Sequence, residues 1–189
     1  MKPYAGYEAT KNYGDYFGQL PPGNYEGKII SAKVEQNNWG EQLVVAIDIT
    51  KGDFAGFYQK QFDGQTENKK WKGTCYLNIP NPSDEKFFVI NKTRFENAMF
   101  AIEESNKGYH WDWDEKKLKG KAVGLRFRTK EFVNNEGEIS SFTQCYDFVA
   151  VKDLETAKTL KPYTVKRDDP VVTPPASMVL EADDDDLPF

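Results

Sequence analysis

Two groups of residues in this 189-residue chain are of types that do chemistry. Between residues 116 and 130 stand Lys116, Lys117, Lys119, Lys121, Arg126, Arg128 and Lys130, with no Asp or Glu among them. Ahead of that run, aromatic and basic side chains interleave: Trp39 in a polar turn, then Tyr58, Lys60 and Phe62, then Lys69, Lys70, Trp71, Lys72 and Tyr76. Cations neutralise a polyanionic backbone and flat rings stack on unpaired bases, so this mixture is the chemistry of holding a single nucleic-acid strand. The second group is Asp183, Asp184, Asp185, Asp186, Leu187, Pro188 and Phe189. Adjacent carboxylates repel one another and stay solvated, while a terminal Phe offers a ring for an apolar pocket and a carboxylate for an arginine beside it.

Each feature also has a plainer reading. Trp71 shares a strand face with Cys75 and Leu77 and fits the core as well as a binding surface. Tyr58 and Phe62 stand open between the same two roles, and the face carrying Arg126, Arg128 and Lys130 equally suits a solvated strand whose cations pair with acids elsewhere. The chain carries 30 acids against 25 bases, and Glu181 with the four consecutive aspartates supplies that whole excess. The remainder is neutral, so a site for a polyanion must come from segregated charge.

Catalytic patterns are missing from the sequence. There is no GxxxxGK phosphate loop, the sole histidine His110 has no Ser or Cys pairing pattern, and Asp112 and Asp114 do not form a recognisable nuclease motif. Cys75 and Cys145 lie in apolar runs, which predicts buried free thiols without a metal or cofactor. The expectation is a binding protein and not an enzyme. With no apolar run near the ~20 residues of a membrane span, and none behind Lys2 as in a signal peptide, a cytoplasmic protein is expected.

Positioning these residues requires a sheet. Residues 24–36 and 43–49 read as strands joined at Asn37-Asn38-Trp39-Gly40, the second with one core face built on Leu43, Val45, Ile47 and Ile49. Residues 54–62 are strand-like but broken by Gly52 and Gly56, which predicts a bulge or bend that aims Tyr58, Lys60 and Phe62 to one side. Over 71–79, Trp71, Gly73, Cys75, Leu77 and Ile79 alternate with Lys72, Thr74, Tyr76 and Asn78. A helix is expected from Pro82 to about Ser105, capped by Asn81, with Phe88, Phe95, Met99 and Ile102 as its core stripe. Residues 122–133 and 139–151 then form a hairpin around Asn134-Asn135-Glu136-Gly137. The predicted organisation is a Tyr-rich arm (1–22), a mainly β domain (23–160), a proline-bearing flexible linker (161–180) and a disordered acidic tail (181–189).

The sequence Asp183-Asp184-Asp185-Asp186-Leu187-Pro188-Phe189 resembles the acidic tip of bacterial and phage single-stranded DNA-binding proteins. The resemblance covers about the last nine residues and implies a protein, expected to be phage-encoded, that binds single-stranded DNA in replication or recombination. It also implies recruitment of partners such as a polymerase, helicase, primase, nuclease or recombination mediator through those residues. Strand and helix order agrees with an OB-fold, a five-stranded barrel with a helix between its third and fourth strands. Trp39, Tyr58, Lys60, Phe62, Lys70, Trp71, Lys72, Tyr76, Arg126, Arg128 and Lys130 are its candidate DNA contacts. The body has no N-terminal strand motif matching the usual bacterial protein, so oligomeric state stays open between monomer and dimer. The competing reading is a recombination or replication adaptor whose barrel binds protein.

Overall fold

The computed structural model describes residues 18–38 and 40–165. Trp39, residues 1–17 of the expected arm, and residues 166–189, which hold most of the expected linker and the whole acidic tail, lie outside the described residues.

The protein is mainly β, with strands β1 (Gly23–Asn37), β2 (Gly40–Ile49), β3 (Thr74–Asn78), β4 (Ala122–Val133) and β5 (Ile139–Val149). They form one sheet that closes in a ring in the order β1-β2-β3-β5-β4. Two long hairpins make up most of it. β1 and β2 pair from Gly27↔Ile49 to Asn37↔Gly40, and β4 and β5 from Gly124↔Val149 to Val133↔Ile139. The ring is completed on one side by β1 against β4, antiparallel from Gly23↔Phe127 to Lys28↔Ala122. On the other side the closure is a single parallel pair, Cys75↔Cys145, between β3 and β5.

Alternation explains the interior: Ile29, Leu43, Val45, Ile47, Cys75, Leu77, Val123, Leu125, Phe127 and Cys145 are all buried. The expectation of one buried face on β2 falls short, since every residue from Leu43 to Ile49 is buried. Its second face is covered too, at Asp48 by the start of the helix that follows.

That helix is the main departure from the sequence reading. Residues 57–62, expected as part of a strand over 54–62, fall in α1 (Phe57–Asp63). Gly56, at φ 69°, lets the chain turn out of β2 into the helix. The buried Asp48 carboxylate then accepts hydrogen bonds from the backbone N–H of Tyr58 at 3.0 Å and of Ile49 at 2.9 Å. Tyr58 and Phe62 are four apart, a helical spacing as well as an even one, and the N-terminal hydrogen bonds to Asp48 favour the helix.

The second helix, α2 (Phe88–Ser105), packs on β3, β4 and β5 through Phe95, Ala98, Met99, Ala101 and Ile102. It begins later than expected. Asn81 accepts from the N–H of Ser83 and Asp84 from that of Phe87, so the polar residues before it make successive turns. Cys75 and Cys145 are buried free thiols, as predicted. Past residue 160, Tyr163 follows the outer edge of β4, donating its N–H to Thr129 and accepting from Glu131, each at 2.9 Å. Among the described residues no helix is long and apolar enough to cross a membrane.

Candidate nucleic-acid interface

Cationic and aromatic side chains cluster where the ring is weakest, at the β3–β5 closure. A bulge in β5 puts one extra residue, Tyr146, between the pairs Arg126↔Asp147 and Phe127↔Cys145. Bulges re-aim side chains, and this one turns the Tyr146 ring toward two arginines. The guanidinium carbon of Arg128 lies 3.8 Å from the ring centroid and that of Arg94, reaching over from α2, lies 4.3 Å from it. Arg94 Nη2 also donates to the backbone carbonyl of Tyr76 on β3 at 3.2 Å and to that of Tyr146 on β5. It therefore ties together two strands that share only one ladder pair.

Lys130 completes the group, its Nζ 5.9 Å from the Phe142 ring centroid. Burial, and then the neighbouring Arg128 and Arg94 charges, hold its ammonium below the usual lysine range. No carboxylate among the described residues forms an ion pair with Arg94, Arg128 or Lys130. The Nε–H groups of both arginines are enclosed and lack an acceptor there. Three neighbouring cations without a carboxylate partner among the described residues form a site that an anion stabilises.

Beside this cluster runs a cleft of about 530 Å³. One wall is Lys72, Thr74 and Tyr76; the other is Phe132, Phe142, Thr143 and Gln144; Phe57, Tyr58, Gln61 and Trp71 form its floor. The ladder joins cluster and cleft, because Arg128 lies opposite Gln144 and Lys130 opposite Phe142. Cations thus stand along one rim of a groove lined with rings, amides and hydroxyls.

The structure divides the residues singled out from sequence. Lys72, Tyr76, Arg128 and Lys130 come together at cleft and cluster, with Tyr76 half-buried so that burial raises its hydroxyl pKa. Tyr58 does not project from a strand toward solvent. It is buried on α1, its ring stacked on Phe127 at 6.4 Å, and burial drives its hydroxyl pKa far upward. Trp71 is likewise core, 2% exposed, with its indole N–H donated to the carbonyls of Ile47 and Gly73 at 3.2 and 3.0 Å. Phe62 packs against Trp71 at 5.8 Å. Lys60 turns back to the Ala55 carbonyl at 2.8 Å, and Lys70 is exposed on the loop after α1. Because α1 is a helix, Tyr58, Lys60 and Phe62 do not share the outward face that a strand gives them.

The acid-free run 116–130 also separates. Lys117 pairs with Asp112 and Asp114, and Lys121 lies over the Tyr109 ring. Arg126 makes a two-pronged ion pair with Asp147, Nε to Oδ1 at 2.6 Å and Nη2 to Oδ2 at 2.5 Å. An acid-free run in sequence is therefore not an acid-free surface. Arg94, Phe132, Phe142, Gln144 and Tyr146 were missed. Arg94 had one signal: it lies four and seven residues before Ala98 and Ala101, which marks it as flanking the buried stripe of α2 and within reach of the sheet. Neither a protein-family model nor a curated protein matches the sequence.

Proposed function

We infer that this chain binds single-stranded DNA, with the β3–β5 cleft taking unstacked bases and the Arg94–Arg128–Lys130 cluster taking phosphates. The observation that carries the reading is that cluster: two arginines over the Tyr146 ring and Lys130 by Phe142, without a carboxylate partner among the described residues, beside an aromatic cleft. Duplex bases present no faces for stacking, so a groove of this kind favours single strands. The ring order β1-β2-β3-β5-β4, with α2 between the third and fourth strands, supports an OB-fold assignment. α1 is an addition to that plan.

The sequence 183–189 supports a role in replication or recombination, in a phage or its bacterial host, with the acidic segment as a docking peptide for partner proteins. Trp39, in the β1–β2 turn by sequence, remains a proposed base contact, and Lys60 and Lys70 supply outlying positive charge. Tyr58 and Trp71 act by shaping the cleft floor, and Phe62 backs Trp71. A labelled oligo-dT titrated with the full chain tests the reading: saturable binding that weakens with salt and exceeds binding to duplex supports it, and indifference to strandedness refutes it.

A further inference from the structure

The outer face of α2 bears a hydrophobic pattern that neither the core nor the cleft uses. Of the eight large hydrophobic residues exposed among the described residues, Phe87, Val89, Ile90 and Phe100 lie on this one helix or its entry. Val89 is 72% exposed and Phe100 60%, and both point away from the buried stripe of Phe95, Ala98, Met99 and Ile102. Apolar side chains concentrated on one helix face mark a contact surface.

We propose that this face pairs with the same face of a second copy of the chain, α2 against α2, antiparallel about a twofold axis. The sequence of the face is complementary to itself in that arrangement. With the axis at residue 95, Phe100 of one copy lies opposite Ile90 of the other, Thr93 opposite Asn97, and Glu104 near the turn before α2 that carries Lys86. Apolar meets apolar near both ends of the contact, polar meets polar at its centre, and unlike charges meet at its rim. An isologous interface requires this self-matching, because each residue meets the partner of its own partner.

A hollow of about 240 Å³ lies beside this face, between Ile90, Thr93, Arg94 and Asn97 of α2 and Arg126, Tyr146, Asp147 and Phe148 of β4 and β5. Side chains on a helix lean toward its N-terminus, and in an antiparallel pair that leans Phe100 from opposite Ile90 toward Thr93 and Arg94. The exposed ring thus approaches the α2 side of that hollow. Glu104 also pairs with Lys152 of its own copy, an exposed contact that a second cation can share.

The test is sedimentation equilibrium of the full chain without nucleic acid, so its outcome is separate from that of DNA binding. A reversible dimer is expected. Phe100→Glu, at a position too exposed to carry the fold, raises the dimer dissociation constant at least about tenfold with an unchanged circular dichroism spectrum. Lys86→Glu weakens the dimer and Lys86→Glu combined with Glu104→Lys restores it. A protein that stays monomeric at high concentration, or a dimer indifferent to Phe100→Glu, overturns the proposal.

Discussion

Arg128 and Tyr146 meet across the β4–β5 hairpin, the guanidinium carbon 3.8 Å from the ring centroid, because a single extra residue in β5 turns that ring toward β4. Two residues earlier on β4, Arg126 occupies the same side of the sheet but is held by Asp147. Neighbouring arginines on one strand therefore differ: one closes an ion pair, and the other, without a carboxylate partner among the described residues, is the one proposed to take a phosphate.

This difference separates stability from binding. Arg126→Ala strands the Asp147 carboxylate, whose side chain is 16% exposed, and costs about 2 kcal/mol of folding stability. Its oligonucleotide affinity stays close to that of the unmutated chain. Arg128→Gln shows the reverse, a loss of about tenfold in affinity with a melting temperature little changed. Denaturant titration and oligo-dT anisotropy on the two variants check the pair.

Lys130 gives the site a pH dependence. Its lowered pKa means that, between that value and the ordinary 10.5, the folded chain holds fewer protons than the unfolded one. Folding stability contributed by this residue accordingly rises with pH across that window. A bound phosphate favours the charged ammonium, so oligonucleotide affinity falls with rising pH over the same window and binding takes up protons. Lys130→Arg keeps its charge throughout and flattens the affinity profile. Anisotropy titrations across alkaline pH read both curves.

Asp48 is 4% exposed, and burial raises its carboxyl pKa despite the N–H groups of Tyr58 and Ile49 that favour the charged form. A raised carboxyl pKa makes the folded state the better proton binder above 3.8, so this residue's stability contribution is greatest in acid and declines as pH rises through the folded pKa. Asp48→Asn keeps the accepting oxygen without the charge, holds α1 in place and loses that decline. Asp48→Ala leaves two N–H groups unsatisfied and costs about 1–3 kcal/mol. Chemical denaturation at several pH values distinguishes the variants.

Gly73 lets α1 lie against the sheet. A β-carbon there would stand 2.4 Å from the Ile47 carbonyl oxygen and 2.5 Å from the Tyr58 ring. Gly73→Ala pushes Tyr58 outward into the cleft floor, costing about 1–3 kcal/mol of stability and reducing oligonucleotide affinity as well. Thermal melting and the binding titration check the two effects together.

The strands were legible wherever alternation was strong. Cys75 and Leu77 against Thr74 and Tyr76, and Leu125 and Phe127 against Arg126 and Arg128, fall on the faces that their spacing requires. α1 was not legible, because seven residues offer too few turns to separate helical from strand periodicity and the decisive Asp48 contact lies on the preceding strand. The candidate site was half legible. Composition gave Arg128, Lys130, Lys72 and Tyr76, but pairing decides which cations are free, and Asp147 lies 21 residues from Arg126. Arg94 was hidden for a related reason, since its neighbours Tyr76 and Tyr146 become neighbours only when the ring closes.

Single-strand binding through the Arg94–Arg128–Lys130 cluster is tested most directly by a salt series. Labelled oligo-dT and a duplex of equal length are titrated with the full chain and with the double variant Arg128→Gln, Lys130→Gln. The expected result is a preference for the single strand, a linear fall of log affinity with log salt, and a slope reduced in the variant by about 0.7 for each phosphate contact removed. Equal affinity for duplex, no binding at low salt, or a variant that keeps the full slope would contradict it.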